Sequence, residues 1–175
     1  MIFWTPRLSR PFPPSSLSSM RSLALCFLAL ATALVSRGAD VAFTRVWPGW
    51  RDAEAFERIS EFFNGRENTS GKIILRTQPA ARDGYYFLVR LNNPNGALAD
   101  AKFSLQIIAP DHPQPKTFAF PTAVAAGRSV FDLGVTGADW AGKKSQPVAW
   151  KLELQGADGH AIATAKSFLW EKPAK

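Results

Sequence analysis

Trp150-Lys151-Leu152-Glu153-Leu154-Gln155 alternates large apolar with polar residues, one for one, and that period decides the fold. Side chains on an extended strand point in turn to the two faces of a sheet, so a strand with one dry and one wet face must alternate this way. The same period recurs where Phe103, Leu105 and Ile107 interleave with Lys102, Ser104 and Gln106. It recurs again in Tyr85, Phe87, Val89 and Leu91, with Arg90 on the other face. Phe118 with Phe120, and Phe131 with Leu133, mark two shorter strands, and Ile73 to Thr77 and Ala161 to Trp170 complete a set of seven. Between them stands turn chemistry. Asp158-Gly159 reads as a two-residue hairpin turn of type I′, whose central positions both take positive φ, and Asn92 to Gly96 as a longer loop. Pro110 to Pro115 closes one strand and Pro121 the next. Short strands at this spacing predict a mainly-β fold, an immunoglobulin-like antiparallel β-sandwich of about seven strands.

One segment breaks the period. Across Asp52 to Asn64, Phe56, Ile59 and Phe63 recur at helical spacing. Asp52 is placed to cap the start, Gly65 to take the left-handed position after the end, and Glu54 and Arg58 to pair four residues apart. The expectation is one N-terminal amphipathic helix laid across an open end or edge of the sandwich.

The chain before residue 39 reads as an export signal. Arg21 follows Met20, and Leu23 to Val35 is an uncharged apolar run. A spanning helix needs about 20 such residues, so the run is short for an anchor. Ser36 and Gly38 are small and sit where a peptidase cutting before Ala39 requires small residues. Leu25 before Cys26 does not fit a lipoprotein signal. Residues 1–38 are therefore expected to be a signal peptide, with Met1 to Ser19 either a long leader to it or an unused upstream start. Residues 39–175 form a single domain, exported to the periplasm or beyond, with no membrane span after cleavage. The alternative is an uncleaved signal anchor in the inner membrane.

Removing that segment changes the charge argument. Arg7, Arg10, Arg21 and Arg37 lie in it and no acid does, so residues 39–175 keep 17 basic against 14 acidic residues. A net charge of +3 spread along the domain does not call for nucleic acid. The only cysteine is Cys26. The domain then has no disulfide and no thiolate chemistry, and must be held by its core, which at this length buries roughly two thirds of the unfolded surface.

Candidate chemistry is sparse. His112 beside Asp111, and His160 near Asp158, lie far apart, and neither sits in a ligand-spacing motif such as HExxH. No metal and no cofactor is expected. Ser104, Ser129 and Ser167 fall within strands and outside any nucleophile elbow. Asp132 and Asp139 bracket Gly134 and Gly137 without the following helix and Lys-Ser/Thr of a phosphate loop, so that segment reads as a strand end and a turn. Arg76 and Arg90, taken as lying on neighbouring strands, could make a small anion site.

Aromatic residues are the remaining candidates. Trp47-Pro48-Gly49-Trp50-Arg51 puts two indoles and a guanidinium beside an expected tight turn. Two roles compete: stapling the helix to the sandwich as buried aromatics, which is the expectation for both rings, or stacking on sugar rings. Trp150, in phase with Leu152 and Leu154, belongs to the core. Tyr85 and Tyr86 face opposite sides of the sheet, which leaves Tyr86 as a surface contact. The binding candidates are thus Trp47, Trp50, Arg51 and Tyr86.

In Phe62-Phe63-Asn64-Gly65-Arg66-Glu67-Asn68, in Leu75-Arg76-Thr77-Gln78-Pro79 and in Tyr85-Tyr86-Phe87-Leu88-Val89-Arg90, the chain resembles uncharacterised exported proteins of Verrucomicrobia-type bacteria. The resemblance implies a Gram-negative envelope address and no activity. Three functions follow as expectations: a non-catalytic interaction module whose partner is an envelope protein, a carbohydrate-binding accessory domain using exposed aromatics, and a hydrolase with a carboxylate pair in a cleft.

Overall fold

The computed structural model describes residues 40–57 and 69–171. The expected signal, and Ile59, Phe63 and Gly65 of the expected helix, lie outside them. Eight strands are found among the described residues: β1 (Ala42–Arg51), β2 (Ile73–Arg76), β3 (Gly84–Asn93), β4 (Leu98–Ala109), β5 (His112–Val124), β6 (Gly127–Thr136), β7 (Ala149–Gln155) and β8 (Ala161–Lys166). They form two four-stranded sheets, ordered β1-β3-β6-β2 and β5-β4-β7-β8. All neighbours are antiparallel except β2 and β6.

The apolar phase of each strand points to one shared core. Phe87, Val89 and Leu91 of β3 and Phe131, Leu133 and Val135 of β6 meet Phe103, Leu105 and Ile107 of β4 and Leu152 and Leu154 of β7. Rings cross between the sheets, with Phe103 and Phe131 centroids 4.9 Å apart and Phe87 and Trp150 5.6 Å apart. Each fully buried side chain of this kind contributes about 1.5–3 kcal/mol by leaving water.

Four local expectations are corrected. Trp47 to Arg51 is not a turn but the second half of β1, paired residue for residue with β3 from Trp47↔Leu88 to Arg51↔Gly84. Pro48 is tolerated because β1 is an edge strand, where a missing N–H leaves no neighbour unpaired. For the same reason β5, also an edge, runs on through Pro113, Pro115 and Pro121 where strand ends were expected. At the β7–β8 hairpin only Gly159 takes positive φ, at 78°. The Asp158 carboxylate accepts from the His160 N–H at 3.0 Å, so the loop is a turn followed by a left-handed glycine, not type I′. Last, β8 ends at Lys166, and Phe168–Glu171 is a 3-10 turn.

The described start of the expected helix, Ala53–Phe56, is a single 3-10 turn followed by an extended Glu57. Asp52 does not cap it through its side chain. Its carboxylate is engaged elsewhere.

Candidate functional site

Strand register lays out the outer face of the first sheet in rows that cross it. One row is Arg45, Arg90 and Val130; the next is Trp47, Leu88, Asp132 and Ile74; the next is Gly49, Tyr86, Gly134 and Arg76. Rows lie about 7 Å apart, the rise of two residues. Of the four expected binding residues, Trp47, Arg51 and Tyr86 have the phase of this face and Trp50 the opposite one, and the structure gives them different roles.

Tyr86 faces outward as its phase requires, yet it is only 1% exposed, which overturns its reading as a surface contact. Its ring lies over Gly134, where a Cβ would collide with it, and against Phe56 of the 3-10 turn at 4.7 Å. The hydroxyl donates to the Arg82 carbonyl at 2.6 Å and accepts from Arg76 Nε at 2.8 Å, while the Arg76 guanidinium sits 4.9 Å above Phe56. Tyr86 is thus the peg that fastens the turn to the sheet.

The two tryptophans part company because the strand alternates. Trp50 points inward and packs, half-buried, against the core. Its Nε1 donates to Asp52 Oδ1 at 2.8 Å, and Asp52 Oδ2 meets Lys143 Nζ at 2.9 Å. The indole hydrogen bond, followed by that from Lys143, holds the Asp52 carboxyl below its ordinary range. Trp47 points outward and is 58% exposed, contrary to its expected burial. The Arg45 guanidinium stacks on its ring at 4.2 Å. Arg51, half-buried, lines a trough of about 250 Å³ with Trp47, Gly49, Trp50 and Leu88.

Arg51 also borders a smaller cavity of about 50 Å³ with Phe56, Ser70, Lys72 and Asp132. Asp132 is 2% exposed; Lys72 Nζ approaches Oδ2 at 3.9 Å and Oδ1 has no hydrogen-bond partner. Burial pushes its carboxyl above the ordinary range, against the opposing pull of Arg51, Lys72 and Arg76. Asp139 differs: burial would raise it, but hydrogen bonds from Thr77, Lys116 and Gln78 hold it below the ordinary range. It lies in the 3-10 turn after β6 and lines a separate pocket of about 250 Å³, together with Asp111, His112 and Trp140.

The two histidines sit at hairpins on opposite ends of the second sheet, so they cannot share an ion. Among the described residues no group of three or more His, Cys, Asp and Glu is placed to hold a metal. Arg76 and Arg90 are not on neighbouring strands, because β6 separates β2 from β3. The true neighbour of Arg90 is Arg45, directly across on β1, and Arg128 follows on β6 opposite Asn92. Arg45 was not legible as a site residue because the turn residues of β1 conceal a strand, and Arg128 was not because it lies ahead of the alternating Phe131 and Leu133 that mark β6. No protein-family model matches the chain, and no curated protein matches it.

Proposed function

We propose that the chain is an exported, non-catalytic interaction module of the cell envelope that binds through the outer face of its first sheet. The observation that carries this is Trp47: a large indole, 58% exposed, held in a regular strand. A rigid exposed aromatic beside arginines is the composition of binding hot spots. An immunoglobulin-like arrangement is supported by strand order. With β1, β3 and β6 in the places of A, B and E, and β5, β4, β7 and β8 in those of C′, C, F and G, each sheet has the neighbours that pattern requires. β2 is an addition on the free edge of β6. The non-catalytic reading draws on the acids. Asp132 and Asp139, one carboxyl raised and the other lowered by its surroundings, line different cavities and do not face each other as a hydrolytic pair would.

A second reading, a carbohydrate-binding domain, is favoured by the trough beside the exposed Trp47 ring, which Arg45 covers on one face only; there the lack of a side chain at Gly49 makes room for a sugar face. The test is Trp47→Ala in the purified protein, assayed against envelope extract and against a polysaccharide panel. Binding should fall at least about tenfold with the melting temperature unchanged. Unaltered binding by this variant removes the face from consideration.

A further inference from the structure

Arg45, Arg90 and Arg128 come from three adjacent strands and gather at the end of the outer face beyond Trp47. All three are exposed, and none forms an ion pair among the described residues. Arg90 and Arg128 line an open trough of about 490 Å³ with Thr44, Asn92 and Ser129. Like charges directly across a strand pair destabilise a sheet. Arg45 opposite Arg90, with Arg128 close by and no acid between, is an arrangement that stability alone does not explain.

From this we infer that the face binds an acidic polysaccharide, with a sugar ring on Trp47 and successive carboxylate or sulfate groups on Arg45, Arg90 and Arg128. The inference rests on the carbohydrate reading above and names the ligand class. Three features of the site select it. Guanidinium forks match carboxylate and sulfate oxygens bidentately and are less strongly hydrated than ammonium groups, so they give up water to such anions readily. The line from Trp47 through Arg45 and Arg90 to Arg128 runs across three strands, which fits a chain-like ligand better than a single small anion. Between these groups Leu88 and Val130 are half-buried, so the face offers a lipid surface one ring to insert and little more.

The purified protein should bind polygalacturonate or heparin, more weakly as salt is raised, and should not bind dextran comparably. Arg90→Gln and Arg128→Gln should each weaken that binding by about tenfold or more, the loss of a charge-assisted hydrogen bond. Lys144→Gln, an exposed charge change elsewhere, should leave it unchanged. All three side chains are in solvent, so melting temperatures should stay together. Dextran binding that depends on Trp47 and ignores both arginines overturns the inference while leaving the carbohydrate reading in place. Binding to no polysaccharide sinks both. Tighter binding to single-stranded DNA or to phosphatidylglycerol vesicles also overturns it.

Discussion

Asp132 is a carboxylate that the sheet holds against its own preference. It is buried, one oxygen is unpaired, and its nearest cation stands at 3.9 Å, too far for a hydrogen bond. Because its carboxyl titrates above the ordinary 3.8, folding disfavours the ionised form. That penalty is complete above the folded-state value and absent below the unfolded one. Asp132→Asn should therefore melt higher than the wild type at pH 7, with the gap closing as pH falls towards 3.8. Lys72, more than a third exposed, is left solvated by the change. Asp52, Asp139 and Glu153 are shifted the other way and lose stabilisation on acidification, but they do so equally in both proteins. A variant that melts lower than wild type at pH 7 would mean that the Lys72 pairing outweighs burial. At this scale the sequence was half legible. Alternation told which face Tyr86 occupies, but not that the Ala53–Phe56 turn covers it, because cover comes from a segment with its own irregular geometry.

β1 shows how an element hides. Its proline and glycine are the residues that punctuate turns, and its apolar residues, Phe43, Val46 and Trp50, do not keep a strict period because the register shifts between Phe43 and Arg45. Both features are permitted at an edge, where only one side of the strand must pair. β5 was mistaken in the same way, as a strand broken at each proline. The interior strands β3, β4, β6 and β7 have neighbours on both sides and no such freedom, and they were legible. The alternation of β1 has a thermodynamic signature. Trp50→Ala should cost about 2 kcal/mol, less than for a fully buried aromatic, since the ring is half-covered and its indole bond to Asp52 is lost. Trp47→Ala should stay within about 0.5 kcal/mol. Urea denaturation of the two variants checks both values. Equal costs would contradict a strand and restore the packed-turn reading.

For the whole molecule, the period-two signal supplies strands but not their partition into sheets. Asn92 to Gly96 read as a loop between neighbours, yet the chain leaves the first sheet there and enters the second. Buried Asn93 shapes that passage, its amide donating to the Gly96 and Ala125 carbonyls. No local turn rule separates a hairpin from such a crossing, because the deciding contacts are between residues far apart in sequence. The lower boundary of the folded unit can be argued from the core. Cleavage is expected before Ala39. That cut leaves Ala39, Asp40 and Val41 ahead of β1. Val41 is 7% exposed and belongs to the core, so processing has a physical limit two residues further on. N-terminal sequencing of protein recovered from the envelope should therefore read Ala39. A version beginning at Ala39 should melt as the parent does, whereas one beginning at Ala42 should lose about 1–2 kcal/mol, the worth of one buried valine. Recovery of an intact Met1 or Met20 would favour the uncleaved anchor. Equal stability of the two truncations would show that Val41 adds nothing to the core.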